Sequence, residues 1–404
     1  MRSRLTLLGM VLLIVISLSN CKKNKQDDPR QDAGEGSLNL PALDPALVNQ
    51  GKDIFRHETF GDETTWTDVL KMNEVIEAAV DPTTALSVGL KVDASALPAA
   101  VVAGIQNGSI SLTDPQTTLA LLQLNAVVGV KGQVSTTSAG TLKLDRVGIT
   151  CALCHSTVDN SFASGIGNRL DGYPNRDLDP GLIISLSPSL TAAQKAVYAS
   201  WGKGKFDPRF NHDGLNNPVV IPPAFGLYGL PKVIFTGDGD VEHETVGPVA
   251  YWNRYVSVVE MGGHGKFSDT RTGINIDNTG GGTDLVTDKL PALQAYQFSL
   301  AAPNAPVGSF DANAAARGKI LFNNKAQCAT CHSGPRFTDV TNGGILHPQS
   351  ASVATDKEYV NRSATKQWRV TPLKGIWQHA PYFHDGSAAT LSAVVEKYNT
   401  SKNL

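Results

Sequence analysis

The chain has 404 residues, of which 41% are hydrophobic and 18% are charged, and its formal net charge is −2 at pH 7. This length exceeds one typical domain and the apolar fraction is ordinary for a globular protein, so we expect more than one folded unit. The lysines and arginines form no basic stripe in the sequence, which argues against a nucleic-acid-binding protein.

The N-terminus has the pattern of an export signal. Two arginines precede an apolar run, Leu5–Leu18, that is too short to span a membrane and suits the core of a signal peptide. The following residues resemble a bacterial lipoprotein cleavage box before Cys21, although Asn20 replaces the usual small residue. We expect a signal peptide over residues 1–20, lipidation of Cys21 and a flexible tether over residues 21–44. An unmodified cysteine is the alternative.

The next hundred residues predict helices followed by a hairpin. Apolar residues recur at helical spacing, Asp114-Pro115 resembles a helix N-cap followed by a first-turn proline, and two alternating stretches resemble paired strands. The predicted helices are Trp66–Val80, Leu97–Gln106 and one from Pro115 to Asn125, and the predicted strands are Val127–Val134 and Leu142–Ile149.

The chain carries two Cys-x-x-Cys-His motifs, made by Cys151, Cys154 and His155 and by Cys328, Cys331 and His332. This spacing is the attachment signature of c-type haem, in which two thiols bond the haem vinyl groups and the histidine ligates the iron. Structural zinc, a disulfide framework and redox dithiols are the alternatives, but zinc ribbons separate their cysteine pairs by only about 15–20 residues. We predict two covalently bound haem c groups, with His155 and His332 as proximal iron ligands.

An internal repeat surrounds the two motifs. A helical segment precedes each motif. Two further elements follow each motif, first a segment that contains proline and glycine and then an Asp-Gly pair. The matched pairs are Gly51–Phe55 with Gly318–Phe322, Pro223–Tyr228 with Pro372–Trp377, and Asp238-Gly239 with Asp385-Gly386. We predict a mainly α fold of two cytochrome c-type domains, residues 45–305 and 306–404. The first carries an insertion over residues 57–147, which either covers its haem site or is a structural addition.

The C-terminal segment resembles a known family. Thr371–Ile376 and the string Tyr382-Phe383-His384-Asp385-Gly386 look like the C-terminal signature of bacterial di-haem cytochrome c peroxidases. That superfamily includes the MauG-like oxidases, and the rubber oxygenases are larger, more distant relatives. The resemblance covers residues 45–56 and 148–404. It implies that the N-terminal haem meets peroxide and that the C-terminal haem accepts and stores electrons.

The resemblance implies a second ligand for the C-terminal haem. Tyr398 lies fourteen residues after His384, where the peroxidases commonly place a methionine ligand and MauG-like enzymes place a tyrosine. An ordinary helical tyrosine is the alternative, and His384 is expected to be a hydrogen-bond partner near this haem. The chain ends six residues after Tyr398, where family members continue into another helix. We therefore expect a truncated domain or a more exposed haem.

The resemblance also implies an acid–base residue at the N-terminal haem. Gly247-Pro248-Val249 and Glu260-Met261 resemble two family elements at a longer spacing, which makes Glu260 the candidate. A solvated helix end is the alternative. The loop after the first motif has no counterpart of the family's distal histidine, so this haem is expected to be open. His264 is a candidate distal ligand of the first haem, and His212 is a weaker one.

These features predict an exported, lipid-anchored di-haem oxidoreductase that faces the periplasm of a bacterial cell envelope. We expect it to reduce hydrogen peroxide, or to use peroxide to oxidise a partner, and to exchange electrons with a periplasmic donor or oxidisable protein. Calcium between the domains is a further option. Two other functions remain open: a non-catalytic electron carrier with both haems six-coordinate, and an oxygenase that uses dioxygen on an apolar substrate.

Overall fold

The computed structural model describes residues 41–353 and 356–402. It is 40% helical and 13% strand, so the fold is mixed, with short helices as its main element. The predicted mainly α class is right about the dominant element, but it omits most of the five two-stranded sheets of the described residues. The predicted signal peptide, the lipidation site Cys21 and tether residues 21–40 lie outside the described residues.

The helices are short, and several begin with a proline, whose fixed φ and missing N–H suit the first helical turn. In chain order they are α1 (Pro45–His57), α2 (Met72–Ala79), α3 (Pro82–Ser87), α4 (Ala99–Gln106), α5 (Pro115–Gln123), α6 (Ala152–His155), α7 (Pro180–Ser185), α8 (Ala192–Ala199), α9 (Phe210–Asp213), α10 (Pro248–Tyr255), α11 (Leu290–Ser299), α12 (Ala312–Asn323), α13 (Lys357–Asn361) and α14 (Leu391–Lys402). Two segments, Thr64–Val69 and Val256–Glu260, are π-helical.

The strands are β1 (Val92–Asp93), β2 (Val130–Thr136), β3 (Leu142–Ile149), β4 (Ser156–Val158), β5 (Ile166–Gly167), β6 (Arg169–Asp171), β7 (Lys205–Phe206), β8 (Val219–Val220), β9 (Lys266–Asp269) and β10 (Ile274–Asp277). β1 pairs with β5 in parallel. The other pairs, β2 with β3, β4 with β6, β7 with β8 and β9 with β10, are antiparallel.

One core forms where α1 crosses α11. A Cβ added at Gly51 would lie 1.9 Å from the carbonyl oxygen of Ala292, so the crossing requires glycine at this position. The buried rings of Phe55 and Tyr296 meet edge to face, with their centroids 5.4 Å apart. The crossing joins segments that are far apart in the sequence and encloses the region that carries the first motif.

The insertion shares a second core with the rest of the N-terminal part, by which we mean residues 41–305. Trp66, Leu119 and Leu144 of the insertion pack with Leu153 and Leu178, which lie in and after the first motif. The insertion is therefore built onto the motif region and does not form a separate layer.

The structure confirms most of the predicted elements of the insertion. Helices α4 and α5 and the hairpin β2–β3 match their predicted positions to within a few residues. Asp114 accepts the N–H of Gln116 at 2.9 Å, as an N-cap should. The predicted helix Trp66–Val80 is instead a π-helical segment and α2, separated by Lys71 in a left-handed conformation.

The C-terminal part, residues 306–402, has little core of its own. α12 contains no buried residue, and Ile320 and Leu321 on it are exposed. The buried residues Tyr359 and Trp368 pack with Val219 of the N-terminal part. The division into two domains stays a prediction.

The repeat holds in the structure with one correction. Gly237 and Gly386 both adopt a left-handed backbone, with φ of 67° and 72°. Each lies in the same kind of turn, closed by an isolated antiparallel bridge. The predicted match of Asp238-Gly239 with Asp385-Gly386 is therefore wrong by two residues, because the shared conformation pairs Gly237 with Gly386.

Candidate functional site

The first motif occupies α6, which follows directly on β3. The Nδ1 atom of His155 lies 3.0 Å from the carbonyl oxygen of Pro222, and because a carbonyl only accepts, Nδ1 carries the hydrogen. Nε2 therefore keeps its lone pair, as an iron ligand requires. Burial lowers the pKa of His155 to about 4, so the imidazole is neutral near pH 7.

The insertion holds the backbone around the first motif. Both carboxylate oxygens of Asp62 lie 3.2 Å from the amide nitrogen of Ile149, and burial raises the pKa of Asp62 well above its ordinary value. Gly129, with φ of 76°, comes so close that an added Cβ would lie 2.1 Å from the amide nitrogen of Leu153. These contacts fix the segment that carries the two thiols of the motif.

Glu260 ends the π-helical turn that extends α10. Both of its carboxyl oxygens are buried, and neither has a hydrogen-bond partner among the described residues. Burial, followed by the charge of Asp207, raises the pKa of Glu260 well above its ordinary value, which favours the protonated carboxyl. Burial also raises the pKa of Cys154, and the Glu260 charge is the second cause. The acid therefore lies within electrostatic range of the first motif, and its role as the acid–base residue stays a prediction.

The sequence did not single out several residues that surround Glu260. Tyr255 lies beside it, and its hydroxyl donates to the carbonyl oxygen of Pro208 at 2.6 Å. Arg362 of the C-terminal part binds Asp207 at 3.1 Å. A cavity of about 260 Å³ opens here between the two parts of the chain, and His212 lines it. Apart from His212, a weaker candidate ligand from the sequence, these residues belong to no motif, and only their packing reveals them.

The second motif repeats the histidine arrangement of the first. Nδ1 of His332 lies 3.0 Å from the carbonyl oxygen of Phe337, which again places the ring hydrogen on Nδ1. Burial raises the pKa of Tyr398 on α14, and the charges of Cys331 and Cys328 add to this shift. The phenol is therefore close to the second motif. Thioether bonds to haem would remove the charges of both thiols, and the pKa of Tyr398 would then be raised less.

Two other predicted histidines have partners outside the motifs. Nε2 of His264 lies 3.1 Å from the hydroxyl of Thr64, at the start of the insertion, so its role as a haem ligand stays a prediction. His384 is buried, and its Nε2 lies 3.1 Å from a carboxylate oxygen of Asp356. Its ring packs against Trp368, with the ring centroids 4.8 Å apart. His384 is thus a hydrogen-bonded residue of the contact between the two parts.

The residues of both motifs fit a c-type haem. None of their four cysteines forms a disulfide with another described residue, and in each motif the histidine Nδ1 bonds a backbone carbonyl, which leaves the lone pair on Nε2. Apolar side chains line the second motif: the Phe322 ring lies 6.4 Å from His332, and exposed Leu321 and Phe337 offer surface that a haem ring would cover.

The prediction of calcium stays a prediction. Ligating atoms of Asp240, Glu242 and His243 lie within 4.8 Å of one another, but the Asp240 carboxylate already binds Arg271 and Lys232. In the described ranges we find no helix of the length and apolarity needed to cross a membrane.

Known proteins resemble parts of this chain. Residues 368–402 match the family described as RoxA-like, cytochrome c-like. The methylamine utilization protein MauG of Methylorubrum extorquens is 32% identical over 117 residues, covering 26% of this chain and 33% of that relative. The MauG protein of Methylophilus methylotrophus is 31% identical over 120 residues, covering 27% of this chain and 36% of the relative.

The chain thus matches about a third of the length of these two relatives. The matches confirm the resemblance stated from the motifs, and they indicate haem c as the cofactor and an oxidoreductase at the level of the family. Together they show that parts of this chain are similar to MauG proteins and to a cytochrome c-like family.

Proposed function

We propose that the chain is a di-haem enzyme of two cytochrome c domains that reduces hydrogen peroxide, or uses it to oxidise a partner, at the haem attached through Cys151 and Cys154. The observation that carries this proposal is the carboxyl of Glu260, which is buried and without a hydrogen-bond partner among the described residues. Leaving such a group unsatisfied costs about 1–3 kcal/mol. Proteins keep perturbed acids of this kind mainly at functional sites, and a pure electron carrier has no use for one.

Haem c, when bound, supplies an iron that takes up peroxide and exchanges electrons. His155 would hold the iron of this haem, and its hydrogen bond to Pro222 fixes the orientation of the ring. Reduction of hydrogen peroxide consumes two electrons and two protons and yields two waters. Glu260 holds one such proton in a site shielded from water and donates it to the departing oxygen, after which solvent restores it.

We place the electron-holding haem at the second motif, with His332 and Tyr398 as its ligands. A Tyr398 phenolate would stabilise ferric iron and lower its potential, which would suit a centre that gives up electrons. We further propose lipidation at Cys21, which would hold the protein at the periplasmic side of the envelope beside its electron donor or oxidisable partner. Labelling with radioactive palmitate, lost in Cys21→Ser, tests the anchor.

Glu260→Gln tests the proposed reaction, because it keeps the side-chain shape and removes the acid proton. We expect peroxide turnover by the holoprotein to fall about 10²–10⁴-fold, with the absorption spectra of both haems unchanged. Glu74→Gln, at an exposed site on α2, is the control and should retain full turnover.

Three outcomes would overturn parts of this proposal. Unchanged turnover in Glu260→Gln would remove the residue from the mechanism. Two low-spin haems that do not react with peroxide would indicate an electron carrier. Stable dioxygen binding by the first haem, with no peroxide turnover, would indicate an oxygenase.

A further inference from the structure

We propose that Arg176 binds a propionate carboxylate of the haem attached through Cys151 and Cys154, and that the Gln378 amide is a second donor to this carboxylate. The site lies where the N-terminal and C-terminal parts meet. This inference rests on haem binding at the first motif and is independent of the peroxide reaction.

Asn175 bonds to the first motif and so positions the next residue, Arg176, beside it. The N–H of Asn175 donates to the carbonyl oxygen of Cys154 at 2.8 Å, and the Asn175 amide donates to the carbonyl oxygen of Gly89 at 2.9 Å. Asn175 is buried, so its backbone is fixed against the attachment segment. Arg176 is also among the charges that act on the His155 ring.

The guanidinium of Arg176 is only partly satisfied by the protein. Its Nη2 donates to the carbonyl oxygen of His379 at 3.0 Å. Its Nε and Nη1 atoms are buried, and neither has a hydrogen-bond partner among the described residues. A carboxylate is bound through two parallel hydrogen bonds by Nη2 together with either Nε or Nη1. Nη2 has two N–H groups, so one remains for such a pair beside the bond to His379.

The charge of Arg176 also lacks a counterion. No salt bridge joins it to a carboxylate in the described part of the chain. Burial lowers the pKa of Arg176 to about 10, so it remains a cation near pH 7. Burial lowers the pKa of the adjacent His379 to about 4, so that ring adds no charge. An unpaired buried cation costs several kcal/mol, so an anion is expected here.

Gln378, which precedes His379 in the sequence, carries a second unsatisfied donor. The Nε2 atom of Gln378 is buried and has no partner among the described residues. A haem carries two propionates at the edge of its ring away from the vinyl groups that bond the two cysteines, so the long Arg176 side chain would have to reach across the proximal face of the haem to meet one of them. A free anion from solution would instead have to enter the protein to reach the buried donor atoms of Arg176 and Gln378. A propionate held by Arg176 and Gln378 would therefore bind both parts of the chain through the cofactor.

Arg176→Met in the full-length holoprotein tests this inference. Loss of a cation beside the haem favours the ferric form, and we expect the ratio of ferric to ferrous iron to rise about tenfold, which is about 59 mV for one electron. The midpoint potential of the first haem should fall, and its propionate bending mode in the resonance Raman spectrum should shift. Arg176→Lys should restore part of the potential, and Gln378→Leu should shift the same mode.

Arg146→Gln is the matched control, because Arg146 forms an exposed ion pair with Asp68 on the insertion, and it should leave the potential and the propionate mode unchanged. Should Arg176→Met not incorporate haem, Arg176→Lys and Gln378→Leu give the same spectroscopic readout. Unchanged propionate modes in these variants, or changes confined to the second haem, would overturn the inference. Loss of peroxide turnover alone counts neither for nor against it, so the two proposals fail separately.

Discussion

Gly129→Ala should damage the first haem site through a single added methyl group. Gly129 has φ of 76°, a region in which a side chain costs about 1–2 kcal/mol. The new Cβ would also lie 2.1 Å from the amide nitrogen of Leu153, a backbone atom between the two cysteines of the motif. Forcing these segments apart adds about 1–3 kcal/mol. We therefore expect the free energy of unfolding to fall by about 2–5 kcal/mol.

The hairpin offers a matched control for this prediction. Gly140, in its turn, has φ of 82°, and within the described residues an added Cβ there would meet no atom closer than 4 Å. Gly140→Ala should therefore cost only the backbone term of about 1–2 kcal/mol. Urea unfolding followed by tryptophan fluorescence measures both losses, and a haem assay should show reduced occupancy of the first site in Gly129→Ala alone. Equal losses in the two variants would refute the idea that the hairpin braces the attachment segment.

Two further substitutions test the C-terminal part. Tyr398→Phe should alter the absorption and electron paramagnetic resonance spectra of the second haem alone, and an unchanged spectrum rules out ligation by this residue. Arg362→Ala removes the partner of Asp207, whose side chain is 1% exposed, and should lower the free energy of unfolding by about 3–5 kcal/mol. The exposed pair of Arg146 and Asp68 should contribute less than about 1 kcal/mol, so a similar loss in Arg146→Ala would contradict the argument.

Local chemistry explains what could be predicted from the sequence. The helix that begins at Asp114-Pro115 and the β2–β3 hairpin follow from capping and from alternation, which act over a few residues. The haem motifs are equally local, because their cysteines and histidines must lie together on one turn. Glu260 was found only through the family resemblance, since its burial depends on residues far away in the sequence.

The features that escaped prediction depend on long-range packing. The parallel pairing of β1 with β5 joins Val92 to Ile166 across more than seventy residues, and nothing in either short strand specifies the partner. The repeat was misaligned by two residues because Asp-Gly is a common pair, whereas the glycine at positive φ marks the true register. Arg176 could not be recognised as unsatisfied from the sequence, since its missing partner shows only in three dimensions.

The crossing of α1 and α11 also has a consequence for how the protein is made. About 230 residues separate the end of α1 from the start of α11, and a ribosome adds about 5–20 residues per second. For some ten seconds or more the nascent chain therefore holds α1 without its partner, while the segment with Cys151 has already been synthesised. The N-terminal part cannot close until α11 is available, so the core around the first motif is completed late, through a contact between segments that are far apart in the sequence.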